Sequence, residues 1–228
     1  MKTAAISGGL LTTLIATLCG TSLGTGFCLG QLISFTPDSA NGGTIQLAAE
    51  STTFGYQFTV GNSPILVNAL GVWDQNGAAL NSSHDVGIWD ASQVEIASGT
   101  VPSGASGNLD SSSFRYVSIS PVELAAHSTY TIGAYYPSGN TDTIAYNQSS
   151  TSPSSFLSGP ITGENSNGGE AVLTFPGGSV SDSSGVFGPN AEFTTVVPEP
   201  GATAFAAALA LVGFAFWRRT HSKATVVG

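Results

Sequence analysis

The residues with the most chemical capacity are oxygen donors gathered around one short connection. Asp74, Asn76, Asn81, Asp85 and Asp90 fall between positions 74 and 90, and carboxylates with side-chain carbonyls are the hard ligands that Ca2+ takes. Asp74, Asn76, Asp85 and Asp90 are the expected ligand set if a cation binds; no other cofactor is expected. Asp74-Gln75-Asn76-Gly77 matches half of a calcium loop and lacks the later Glu that closes one. Asp and Asn also bond their own backbone in turns, so a plain hairpin connection accounts for the same residues. Nucleophilic chemistry has less support. His84 and His127 are the only histidines ahead of the C-terminal tail, and Gly104-Ala-Ser-Gly-Asn108 lacks the last glycine of a nucleophile elbow. The serines around His84 are too common to single out a triad. No catalytic residue is assigned, and the sequence predicts a chain that is not an enzyme. Trp73, Trp89, Tyr135 and Tyr136 are the aromatics that could stack on sugar faces.

The elements that must position these residues are short and alternate in polarity. Phe54 to Val60 places aromatics at every second position, the mark of a half-buried strand. Residues 65–73 are apolar throughout and predict a central strand. Further strands are predicted over 85–89, 93–98, 114–119, 129–136, 171–175 and 192–196, with turn residues between them. Leu124-Ala-Ala-His-Ser-Thr-Tyr130 has the spacing of a tyrosine corner, in which a Tyr hydroxyl bonds back to upstream backbone. Gly71-Val-Trp-Asp74 and Gly87-Ile-Trp-Asp90 repeat one pattern and predict adjacent strands with the two tryptophans in equivalent places. Residues 138–169, rich in Ser, Thr, Asn and Gly, predict a long surface loop with a short strand at 143–146 and Phe156 and Leu157 tucked onto the core. The fold class is therefore all-β, an antiparallel β-sandwich or jelly-roll-like domain over residues 31–196.

Charge and chain ends bound the function. Only 8% of the 228 residues are charged, and between residues 31 and 197 the single Arg115 stands against thirteen carboxylates. Such a chain cannot neutralise phosphates, so nucleic acid is excluded as a partner. The remaining cations sit at the ends. Lys2 precedes a mostly apolar run, Ala4 to Leu18, followed by small residues; residues 1–30 read as a helical signal peptide. Ser22-Leu-Gly24, Gly24-Thr-Gly26 and Cys28-Leu-Gly30 all offer small residues at the positions a cut requires. Cys19 and Cys28 are the only cysteines, and both lie in this segment. At the other end, residues 201–217 carry no charge and span roughly 26 Å as a helix, enough for a thin or tilted bilayer crossing. Arg218-Arg219 fixes the cytoplasmic side, leaving 220–228 as a cytoplasmic tail.

Val197-Pro198-Glu199-Pro200, the apolar helix and Arg218-Arg219 occur in that order over residues 197–219. This segment resembles the PEP-CTERM sorting signal, also catalogued as the ice-binding-protein C-terminal (VPEP) motif. No flat array of regularly spaced Thr that would suit ice itself is present. The resemblance implies recognition of Pro198-Glu199-Pro200 by an exosortase-type membrane protease-transpeptidase in a Gram-negative-type envelope. The implied path is export, an inner-membrane-anchored precursor, then the cell surface or an extracellular, exopolysaccharide-containing matrix. Residues 70–90, Phe114-Arg-Tyr-Val117, Tyr130-Thr-Ile-Gly-Ala-Tyr-Tyr-Pro137 and Phe187-Gly-Pro-Asn190 resemble DUF4082-like exported domains. That likeness implies fold and location and no activity. The expected function is that of a non-catalytic surface or matrix protein; a carbohydrate- or calcium-dependent adhesion module is the alternative.

Overall fold

Alternation becomes burial in the strand that carries the aromatics. Phe54, Tyr56, Phe58 and Val60 all lie in one core, while Gln57 between them is exposed. The computed structural model describes residues 27–34, 44–47, 51–146, 152–165, 169–179 and 186–196, with four helical positions at 211, 214, 217 and 218. In chain order the strands are β1 (Phe27–Gln31), β2 (Ile33–Ser34), β3 (Thr44–Leu47), β4 (Thr52–Val60), β5 (Ile65–Trp73), β6 (His84–Asp90), β7 (Glu95–Val101), β8 (Asn108–Leu109), β9 (Phe114–Leu124), β10 (Thr129–Tyr136), β11 (Thr143–Tyr146), β12 (Ser152–Pro153), β13 (Leu157–Asn165), β14 (Gly178–Ser179), β15 (Val186–Phe187) and β16 (Pro189–Val196).

The described domain is all-β, and every pairing is antiparallel. One sheet has the order β1-β16-β5-β9-β8 and a second the order β14-β13-β4-β10-β6-β7. Two small sheets, β15-β11-β3 and β12-β2, complete the set. The two large sheets share one core: Val67, Leu70, Val72 and Phe193 from the first meet Phe58, Val86, Ile88 and Ile132 from the second. Burying side chains of this size contributes about 1.5–3 kcal/mol each. The apolar 65–73 segment is indeed interior, flanked by β16 and β9.

The outer face of the second sheet has an unexpected feature. Gly133 on β10 is the Cα partner of both Gly55 on β4 and Gly87 on β6, so three glycines form a row across the sheet. A Cβ at Gly55 would lie 1.9 Å from the Ile132 carbonyl oxygen, and one at Gly87 2.9 Å from the Trp89 ring. The row opens a trough in which Trp89 lies flat, capped edge-on by Phe175 at a centroid distance of 5.9 Å. Thr174 fastens this covering segment, its N–H donating to Thr53 Oγ1 at 3.2 Å.

Three expectations are corrected here. Residues 171–175 are not a strand; they form part of the strap over Trp89, where their apolar side chains cover a sheet face instead of pairing along an edge. The 138–169 segment is more than a surface loop. Besides the expected strand at 143–146 it supplies β13, which pairs with β4 across a register shift between Ser158 and Thr162. Phe156 and Leu157 do pack on the core. The two Gly-x-Trp-Asp segments lie in different sheets, so Trp73 is a core residue while Trp89 faces outward beneath the strap. At the chain ends, β1 starts at Phe27, ahead of the boundary expected between residues 30 and 31. The remainder of the expected signal helix, residues 1–26, lies outside the described residues. Most of the expected 201–217 helix does too; among the described residues no helix is long and apolar enough to cross a membrane.

The tyrosine corner is present. Tyr130 is buried, and its hydroxyl accepts the Ala125 N–H at 2.9 Å. His127 turns the chain with φ at 60°, and its N–H is shared between the carbonyls of Val60 and Gly61, each at 3.1 Å. Tyr130→Phe removes the acceptor but not the ring, and Ala125 is solvent-exposed. The substitution should cost about 1 kcal/mol, read as a lowered urea midpoint with an unchanged m-value. No change in the midpoint would show that the corner bond does not hold this crossing.

Candidate functional site

The oxygen donors of the 74–90 connection are engaged with the protein itself. Asp74 ends β5 and is buried at 4% exposure opposite Arg115, at 3%. Arg115 Nη2 and Nε donate to Asp74 Oδ2 at 2.7 and 3.1 Å. The same guanidinium donates to the carbonyls of Ala105 at 2.7 Å and Gly77 at 3.3 Å. Asp74 thus turns the chain, with Gly77 N–H donating to its carbonyl at 2.8 Å, and pins that turn to β9. Asp90 caps its own hairpin, accepting from the N–H groups of Ser92 and Val94. Asp85 accepts from Thr100 Oγ1 at 2.6 Å. Asn76 is exposed on the turn. Among the described residues no three His, Cys, Asp or Glu side chains come together to hold a metal ion. Asp74 and Asp90 thus shape turns, while Asp85 bonds across the β6–β7 pair.

His84 is fully buried and has a different partner from any its sequence neighbours suggested. Nε2 lies 2.9 Å from Asp142 Oδ2 and Nδ1 lies 3.0 Å from the Tyr135 carbonyl oxygen. Both neighbours are acceptors, so both bonds form when both ring nitrogens carry protons. Asp142 also accepts from Asn81 N–H at 2.7 Å, Asn81 Nδ2 at 3.0 Å and Ser82 N–H at 2.9 Å. Burial alone would raise the Asp142 carboxyl; the bonds from His84 and from the Asn81 and Ser82 backbone outweigh it and hold the group below the usual carboxylate range. Both ring nitrogens therefore face oxygen atoms inside the fold. The dyad fastens the 80–82 loop to the entrance of β11.

A second acidic grouping went unnoticed in the sequence because its members are far apart in the chain. Burial raises Asp110 and Glu192 above their ordinary values, and the Asp110 charge raises Glu192 further. Tyr116 is pushed up by burial and then by these two carboxylates. Its hydroxyl donates to Gln31 Oε1 at 3.1 Å, which also accepts from Asn190 Nδ2 at 3.2 Å.

The expected sugar-stacking aromatics are mostly enclosed. Trp73, Trp89 and Tyr136 are buried, and Tyr135 is half-buried with its hydroxyl donating to the Glu170 carbonyl. Among the described residues a groove of about 250 Å³ is open beside β6 and β7, lined by Asp85, Glu95, Ser98, Thr100 and the strap residues Val172 and Leu173. The sorting residues Val197, Pro198, Glu199, Pro200 and Arg219 lie outside the described residues. Arg218 is helical and exposed.

The chain matches the family described as a domain of unknown function, DUF4082, over residues 38–193, more than half its length. No curated protein matches it.

Two predictions test the polar assignments. Asp74→Ala leaves the Arg115 guanidinium buried without its carboxylate and should cost about 3–5 kcal/mol; a loss below about 1 kcal/mol by chemical denaturation would contradict the anchor. Glu192 binds its proton more tightly folded than unfolded, so its ionisation weakens the fold as pH rises from its unfolded value through its folded one. Glu192→Gln should therefore stabilise the protein at neutral pH, by no more than about 1 kcal/mol because the group is half-exposed and screened. The advantage should shrink as pH falls through the folded value and vanish below the unfolded one. Asp142 acts with the opposite sign, its contribution being present above its unfolded value and lost as pH falls through its folded one.

Proposed function

The chain belongs to the DUF4082 family, and from that premise we propose that it is a non-catalytic, exported surface or extracellular-matrix protein, sorted by an exosortase-type enzyme through Val197-Pro198-Glu199-Pro200. The observation that carries the reading is the register of the first and last strands. Phe27 and Val196 are Cα partners, so the described domain begins and ends side by side at one end. The two buried polar anchors, Arg115–Asp74 and His84–Asp142, close the opposite end. A domain built this way suits tethering at one end, with the loops of the far end directed outward. Exposed apolar side chains at Leu211, Phe214 and Trp217, spaced three apart on one helix face, fit a segment that meets lipid. Arg218-Arg219 then sets its cytoplasmic end. The low charge and Ser/Thr/Asn-rich surface fit a hydrated exopolysaccharide matrix. The path is export, an inner-membrane-anchored precursor, and release to the surface of a Gram-negative-type bacterium.

A second reading, a carbohydrate-binding module, is favoured by the open groove beside β6 and β7. Its carboxylates and hydroxyls offer acceptors and donors for sugar hydroxyls.

In a host with the sorting enzyme, wild type should lose its C-terminal segment. Glu199→Ala combined with Pro200→Ala should accumulate as an uncleaved membrane precursor. Mass spectrometry of released wild-type protein decides the matter: an intact 220–228 tail would overturn sorting and leave a simple membrane anchor. A glycan array with the released protein tests the second reading.

A further inference from the structure

We propose that the leader is cut ahead of Phe27, at Gly24 or Gly26, so that β1 and Cys28 remain in the mature protein; this rests on the export reading above. Three small-x-small stretches, ending at Gly24, Gly26 and Gly30, satisfy a leader peptidase equally well in sequence. The fold separates them. Residues 27–31 pair with five of the eight residues of β16, from Phe27↔Val196 to Gln31↔Glu192. Hydrolysis after Gly30 would remove all but one residue of that strand and leave the β16 backbone edge unpaired, a template for pairing with another chain.

Packing adds to the case. The Gly30 backbone lies directly on the Phe193 ring, since a Cβ at that position would be 2.8 Å from Cζ. Phe193 is fully buried and belongs to the core, so removing Gly30 uncovers it. The same cut would place a new ammonium on Gln31. That residue's side chain is held by Tyr116, Asn190 and Ser112, and the next two, Leu32 and Ile33, are 0% exposed. A charge created there borders a segment that is otherwise dry. Hydrolysis after Gly24 or Gly26 adds water across a peptide bond outside β1 and disturbs none of these contacts.

The thiol count follows directly. Cys19 leaves with the leader and Cys28 stays, so each mature chain carries one thiol.

The full chain, exported from a Gram-negative host, is purified and analysed by N-terminal sequencing, intact mass and thiol titration in denaturant. The expected mature start is Thr25 or Phe27, with one thiol per chain. Cys28→Leu, which disables the small-x-small stretch ending at Gly30, should leave the cut in place. A mature start at Gln31 with no thiol would overturn the proposal while leaving export intact. An uncut exported chain with two thiols would overturn the proposal while leaving export intact; a chain found uncut in the cytoplasm would overturn the export reading, and this proposal with it.

Discussion

Between residues 31 and 197 there is one cation for thirteen carboxylates, and the fold buries it. Arg115 reaches Asp74 at the end of β5 and the carbonyls of two loops, so one side chain closes the end of the sheet where β5 and β9 meet. A buried pair of this kind is held in place by the penalty for losing either partner, more than by its net attraction. His84 and Asp142 do the same for the loop before β6 and the entrance to β11. Asp74, Arg115, His84 and Asp142 are thereby engaged in joining loops to strands.

The glycine row is the second constraint. Gly55, Gly133 and Gly87 lie side by side because β4, β10 and β6 are neighbours in register. Their missing side chains allow Trp89 and the strap around Thr174 to settle on a sheet face that would otherwise be open to water. An aromatic that could have served as a sugar platform is thereby turned into a second, smaller packing layer. An acidic groove stays open at the β6–β7 edge.

Both constraints give the domain a direction. Its polar anchors close one end, while the tyrosine corner, the start of β1 and the end of β16 share the other. The first and last strands of the described domain pair with each other, so it begins and ends at one place. That arrangement suits the proposed tethering through a chain end.

The sequence by itself determined the β class, most of the strands and the tyrosine corner. Each is a local property: alternation at period two, turn residues between runs, and a Tyr a fixed distance after a strand end. Only the tertiary structure decided that Asp74 belongs to Arg115, that His84 belongs to Asp142, and that Trp73 and Trp89 face different environments despite matching sequence contexts. Strand β13 and the strap were equally illegible, because their polarity does not distinguish a segment that pairs or covers from one that is solvated. Partners many residues apart leave no periodic trace in the chain, and whether a side chain points inward depends on which sheet receives its strand.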